Sequence, residues 1–251
     1  MLREAKEMKE AKLARRPLDS LKRILSAESV REQLKMALAA EADLFVASLV
    51  ELYSEDQLLQ QCDPADVVRE AFKAAVLGLP LSKDLGHVYL VPYRDKGGVI
   101  RPSFLLGSEG YTKLALRSGL FHTINAGKVH EGELAKYDLL SGMFELDYTK
   151  RKSDRVIGYF AYFKLKDGFE KGIYMTVDEV RKHAEKHSKS YHVKGGVWET
   201  DFDAMAVRTV LRIALLDWGP IFPDLERVVN YERKETMLTE KERDEVLGEK
   251  A

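Results

Sequence analysis

The sequence predicts an α+β fold: N-terminal helices, then a β-hairpin, a helix and an antiparallel β-meander packed with two further helices. Three observations carry this. Apolar residues recur at helical spacing through residues 1–79, they alternate in strand fashion from about residue 87 to 175, and helical spacing returns from Thr176 onward. The chain has 251 residues, 45% of them hydrophobic, enough to bury a core without disulfides or metal.

Taken in order, AKEMKEAKLARR is polar and strongly helix-forming, and residues 18–26 form a short helix after Pro17. SVREQLKMALAAEADLFVASLVELYSE continues the helical pattern, with Leu34, Leu38, Phe45, Leu49 and Leu52 on one side. Asp63 before Pro64 is an N-cap followed by a first-turn proline, opening a helix that runs to about Leu77 before Gly78. GHVYLVPYR and VIRPSFLLG flank the turn Asp95-Lys96-Gly97-Gly98 and form a hairpin. In LLGSEGYTKLALRSG, Ser108 is the expected N-cap and Gly119 the expected stop. Tyr111, Leu114, Ala115 and Ser118 make its inward stripe, while Glu109, Lys113 and Arg117 share another side. FHTINAGKVHEGE, AKYDLL, MFELDY, RVIGYFAYFKL and FEKGIYM then read as short antiparallel strands. Thr176 and Glu179 form a capping box, and SKSYHVKGGVWETD leads into the last strong helix, DFDAMAVRTVLRIALLDWG.

Cys62 is the single cysteine, which excludes an intrachain disulfide or a cysteine-rich zinc cluster and suits a reducing cytoplasm. There is no membrane-length apolar run, and MLREAKEMKEAKLARR lacks the apolar stretch of a signal peptide, so a cytoplasmic protein without membrane contact is expected. Net charge is −1, but it is unevenly spread. Residues 80–220 hold 22 basic and 18 acidic side chains, against 12 and 14 before them and 6 and 9 after.

Several constellations invite chemistry. His183 and His187 stand at i, i+4, a zinc spacing, but the metalloprotease glutamate is displaced by one position. Carboxylate pairs at Glu131 and Glu133, Glu145 and Asp147, and Asp201 and Asp203 suit Mg²⁺ in a nuclease, although the last pair stands where helix caps are expected. No phosphate-cradling P-loop is present. The cations are better placed. Tyr93, Arg94 and Arg101 belong to the hairpin, Lys113 and Arg117 to the next helix, Lys186, Lys189 and Lys194 to the glycine-rich loop region with Tyr191 and Trp198, and Arg208 and Arg212 to the last helix. Cations interleaved with aromatic planes suit phosphates and stacked bases of a single strand.

Four separated phrases, LGLPLSKDLGHVYLVPY, LLGSEGYTKLALRSGLFHTINAGKVHEGE, GYFAYFKLKDGFEKGIYMTVDEVRKHAEKHSKS and DFDAMAVRTVLR, resemble in order and spacing the phage RecT family of single-strand annealing recombinases, over roughly residues 40–220. The resemblance implies an ATP-independent protein that coats single-stranded DNA as a ring or helical filament and anneals it to its complement through an annealed duplex intermediate. A phage exonuclease and the host single-strand binding protein are the implied partners. No cofactor is implied beyond Mg²⁺ as a possible modulator. Tyr111, Lys113, Arg117, Arg208 and Arg212 are the DNA contacts carried over, whereas Ser108, Glu109 and Val207 depart from the family's usual phrases. On this reading residues 1–79 supply protomer contacts, 80–220 bind and anneal DNA, and 221–251 form a charged tail. Alanine at Arg117, Arg208 or Arg212 should then spare the fold and cost binding, unless these arginines are buried tethers of a carboxylate such as Asp203 or Asp217. A Mg²⁺-dependent nuclease and a passive single-strand binder are the rival readings.

Overall fold

Asp63, Thr176 and Asp201 cap the helices that follow them in the computed structural model, which describes residues 17–232 apart from residues 83, 96, 139 and 189. The expected helix over residues 5–16 and the tail from residue 233 fall outside the described residues. Helix α1 spans residues 17–26, α2 spans Glu28–Leu38, α3 Ala42–Glu55 and α4 Pro64–Val76. As the sequence predicts, the Asp63 carboxylate accepts from the Ala65 amide at the start of α4, and Gly78, at φ +60°, follows its end. The continuous pattern of residues 29–55 is broken, however. Ala39 takes a left-handed backbone (φ 50°), and a short 3-10 turn, Ala39–Glu41, separates α2 from α3. An unbroken helix over both would be about 40 Å long. With the break, Leu34 of α2 and Phe45, Leu49, Leu52 and Tyr53 of α3 enter one core.

Strands β1, Val88–Arg94, and β2, Ile100–Leu106, form the expected antiparallel hairpin, with Tyr93 opposite Arg101 and Val91 opposite Ser103. Helix α5, Ser108–Arg117, follows. The main antiparallel sheet has the order β3 (Phe121–His130), β6 (Val156–Leu165), β7 (Glu170–Thr176). Strands β4, Leu134–Tyr137, and β5, Phe144–Leu146, make a separate hairpin between β3 and β6. Phe144 of that hairpin meets Phe160 edge to face, and Tyr137 meets Tyr174, so β6 is covered on this side as well as on its core side. Four successive β6 residues, Gly158 to Ala161, are buried as a result.

Helix α6, Val177–His187, opens on the capping box of Thr176 and Glu179. After the single turn α7, Val197–Thr200, comes α8, Phe202–Trp218, capped by Asp201. Met205, Ala206, Val210, Leu211, Ala214 and Leu215 are buried over more than one face of α8, because it packs on the sheet, on α5 and on α6. Where the sequence reading has only a charged tail from residue 221, the described residues 223–232 form a helix, α9. Phe222, Leu225 and Val228 carry it into the same core, with Phe222 edge to face on Phe121.

Candidate nucleic-acid interface

The glycines ahead of α5 serve packing. A Cβ on Gly107 would collide with the Gly86 carbonyl oxygen, and one on Gly110 with the His87 carbonyl oxygen, so both glycines let α5 lie directly on the backbone before β1. Gly107 is itself the N-cap residue and Ser108 the first helical residue, with no side-chain cap bond; the expectation of a Ser108 cap fails because the helix starts one position earlier. Tyr111, Leu114 and Ala115 are buried, Glu109, Lys113 and Arg117 are exposed, and Gly119 ends the segment at φ +74°, all as read from the sequence. Tyr111 is 1% exposed, so its ring cannot stack on a base; the Arg208 guanidinium lies over that ring, 5.8 Å from its centroid, and its hydroxyl reaches a carboxylate.

Those partners define the centre of the site. On α8, Arg208 and Arg212 are one turn apart and point the same way. Arg208 Nε donates to the Leu106 carbonyl oxygen at 2.7 Å, and its Nη2 lies 3.1 Å from Glu232 Oε1. Arg212 places both Nε, at 2.9 Å, and Nη2, at 2.6 Å, on Glu232 Oε2. The Tyr111 hydroxyl donates to Glu232 Oε1 at 3.2 Å. Three elements distant in sequence thus meet on the last described carboxylate. Burial alone would raise the Glu232 pKa, but the charges of Arg208 and Arg212 outweigh it and hold the carboxyl below its ordinary range. Burial likewise pushes the Tyr111 phenol up, helped by the Glu232 charge, so it stays a donor.

The expected alternative for these arginines, a carboxylate tether, is therefore realised, but by Glu232 and not by Asp203 or Asp217. Asp203 instead accepts from the Tyr159 hydroxyl and pairs with Lys128 at 3.1 Å. Arg117 also ends on α9: its Nη2 lies 2.6 Å from Asp224 Oδ2 and donates to the Leu77 carbonyl oxygen at 2.8 Å. Asp224 and Glu232 are eight residues apart, about 12 Å along a helix. The three arginines converge on one helix, then, but two turns apart.

Beside the Glu232 cluster runs a cleft of about 530 Å³ between the β1–β2 hairpin, α6 and α8. Tyr93, Ser103, His183, His187, Ser188, Trp198, Arg208, Arg212 and Glu232 are among its lining residues. A second, more open hollow of about 420 Å³ shares Trp198 as its wall and is lined by Arg181, Tyr191, Lys194 and Phe202. Trp198 is 5% exposed and its indole N–H donates to Ser188 Oγ, which fixes the wall between the two. Of the sequence-derived cations and aromatics, Tyr93, Trp198, Arg208 and Arg212 line the first hollow, and Tyr191, Trp198 and Lys194 the second. Arg101 shares the Tyr93 face of the hairpin by register but is tied to Asp95 at 2.7 Å and to Asp66 at 3.8 Å. Arg94 is exposed and donates to the Gly98 carbonyl oxygen at the hairpin turn, while Lys113 and Lys186 are exposed without lining either hollow. Lys189 lies outside the described residues.

The residues weighed for metal chemistry are engaged in other ways. His183 and His187 stack with ring centroids 4.6 Å apart, and burial, then the neighbouring His187 and Arg212, lowers the His183 pKa. Among the described residues no group of three or more His, Cys, Asp or Glu is placed to hold a metal ion. Glu133 accepts from the His130 amide, Asp147 from the Thr149 amide, Asp201 from the Ala204 amide, and Glu131 from the Ser153 hydroxyl. Cys62 is buried, and burial with the nearby Asp56 and Asp66 charges pushes its thiol up to about 12, which leaves it unreactive at neutral pH. Sequence reasoning missed Glu232, Arg181, Ser103 and Ser188. Arg181 had a usable signal, its place on the same amphipathic helix as Lys186; Glu232 had none, being one of nine acids in residues 221–251.

The class of protein follows from the ordered phrases on this α+β frame. The RecT family model matches residues 43–246, and the chain belongs to that family. Membership implies a role in single-strand DNA annealing and recombination, and the proteins of the family are generally non-catalytic. Particular relatives are an uncharacterized protein, YqaK, of Bacillus subtilis (strain 168), 42% identical over 210 residues covering 84% of this chain and 71% of the relative, and Protein RecT of Escherichia coli (strain K12), 28% identical over 221 residues covering 83% and 78%. Among the described residues no helix is long and apolar enough to cross a membrane.

Proposed function

We propose that this chain binds single-stranded DNA along the two adjoining hollows and anneals the bound strand to its complement without ATP. One observation carries the reading: Arg208 and Arg212, the cations of the family's late helix, stand together in a cleft walled by Tyr93 and Trp198 and supplied with the Ser103 and Ser188 hydroxyls. Annealing requires that phosphates be held by charge while base edges remain open for pairing. Cationic and hydroxyl donors without a base-reading set meet that requirement, and the Arg181 and Lys194 hollow beyond Trp198 extends the track for the backbone. Lys186, exposed on α6 beside the cleft, and Lys194 of the second hollow add sequence-independent attraction.

The working form is a homo-oligomer, a ring or a helical filament, because a head-to-tail contact that does not close at once propagates. The helical region 1–79 supplies those contacts. Mg²⁺ acts as a modulator, and a phage exonuclease and the host single-strand binding protein are its partners in the bacterial cytoplasm. The test is a time course with labelled complementary oligonucleotides and Mg²⁺ but no nucleotide cofactor. Annealing faster than the spontaneous rate, with strands of unchanged length, is the expected result. Slowed annealing would mean passive binding, and shortened strands would mean a nuclease.

A further inference from the structure

The Glu232 carboxylate is set among donors in the way an anionic ligand would be. Arg208, Arg212 and the Tyr111 hydroxyl all address its two oxygens, at 2.6–3.2 Å. Two guanidinium charges meet one carboxylate there, so the cluster keeps an excess of positive charge. Arg208 is 8% exposed and needs an anion beside it, since a buried guanidinium without a counter-charge is costly. The Arg212 side chain is 34% exposed and the Glu232 side chain 21%, so the cluster opens on the cleft.

We propose that Glu232 holds the place of a DNA phosphate, and that a phosphodiester of the bound strand takes over the Arg208, Arg212 and Tyr111 cradle when Glu232 turns out of it. The proposal rests on the reading that the cleft takes single-stranded DNA. A phosphodiester, like a carboxylate, carries one negative charge and two equivalent oxygens that fit a guanidinium fork. The exchange therefore conserves charge, and Arg208 has an anion in both states. It requires rotation of one side chain and leaves α9 in place. Phe222, Leu225 and Val228 anchor the helix in the core, and Tyr231 is held by its edge contact with Phe104 and by Lys73 over its ring, 5.6 Å from the centroid. Because Glu232 returns to the cradle when the phosphate leaves, it limits residence of the strand, which suits a protein that must give up its strand once the duplex has formed. His183, His187 and Asp217 face the same cleft, and His183 feels the charges of His187, Arg212 and Asp217.

The experiment compares the full chain with E232Q and R212A, using a fluorescent oligothymidylate for affinity and thermal melting for the fold. Glutamine keeps the size and removes the charge. If Glu232 fills the cradle about nine-tenths of the time, E232Q binds the oligonucleotide roughly tenfold tighter, releases it more slowly, and gains more melting temperature on adding it than the parent does. A folded E232Q that binds no tighter than the parent overturns the exchange. Should E232Q not fold, E232D keeps the charge on a shorter arm: tighter binding than the parent supports the exchange and unchanged or weaker binding overturns it. R212A separates the two levels of inference. If R212A binds weakly while E232Q equals the parent, the exchange fails and the cleft reading stands. If R212A binds as the parent does, the cleft reading fails and the exchange with it.

Discussion

Helices α5 and α8 carry the same signal in sequence, two cations four residues apart, and the fold treats them in opposite ways. Lys113 and Arg117 of α5 face outward, since the other side of that helix is filled by Tyr111, Leu114 and Ala115. Arg208 of α8 is buried and Arg212 half-buried, because α8 is covered by the sheet and by α5 and α6, and Glu232 of α9 reaches both arginines. An i, i+4 pair of cations thus reports a shared direction and says nothing of its dielectric surroundings. That difference sets the energetics. An exposed cation can be lost at little cost to the fold, whereas a buried one cannot be removed without stranding its partner.

The largest expected effect tests the buried side of the comparison. Arg208→Ala removes the bond to the Leu106 carbonyl and one of the two charges on Glu232, and breaking a buried pair costs about 3–5 kcal/mol. Thermal unfolding should fall by roughly 10 °C. An unchanged melting temperature would erase the distinction between the two helices. Arg212→Ala comes next and should act chiefly on DNA: a lost charge-assisted phosphate contact is worth roughly 1.5–3 kcal/mol, about ten- to a hundredfold in single-strand affinity. Glu232 retains Arg208 and Tyr111, so the melting temperature should drop less than for Arg208→Ala.

On α5 the effects should be smaller and divided. Arg117→Ala gives up the Asp224 pair and the bond to the Leu77 carbonyl, together worth about 1 kcal/mol at a half-exposed site, whereas Lys113→Ala should stay within about 0.5 kcal/mol. Denaturant titration separates them, and equal stabilities would show that the α9 contact contributes nothing. The smallest effect concerns pH. Burial holds the His183 pKa below its unfolded value of about 6.5, so its contribution is complete above that pH and is lost as pH falls through the folded value. Unfolding free energy should decline between pH 7 and the acid side of 6, and His183→Asn should flatten that decline.

Local chemistry explains how much of this was legible. The Asp63 cap, the Thr176 and Glu179 box, the Gly119 stop and the hairpin around Gly97 and Gly98 are each decided within a few residues of backbone, and each was readable there. The break at Ala39 was not. Alanine is the best helix former, and what ends the helix is the core that α2 and α3 must share. The excursion of β4 and β5 was readable as strands, but its place over Phe160 was not, because the packing of one hairpin's side chains on the face of another sheet has no signature in either segment alone.

By itself, then, the sequence determined most of the helices and strands from residue 17 to Trp218, though not the break at Ala39 or helix α9, along with which cations lie on α8 and, through four ordered phrases, the family. Tertiary structure decided what surrounds those cations. Arg208, Arg212 and Tyr111 meet Glu232 only because α9 lies on the core through Phe222, Leu225 and Val228 and carries Glu232 to α8. Nothing local to Glu232 distinguishes it from the other acids near it. Charge, burial and the choice between tether and phosphate ligand are properties of the assembled cleft, since electrostatic interaction depends on distance and dielectric, and the folded chain sets both.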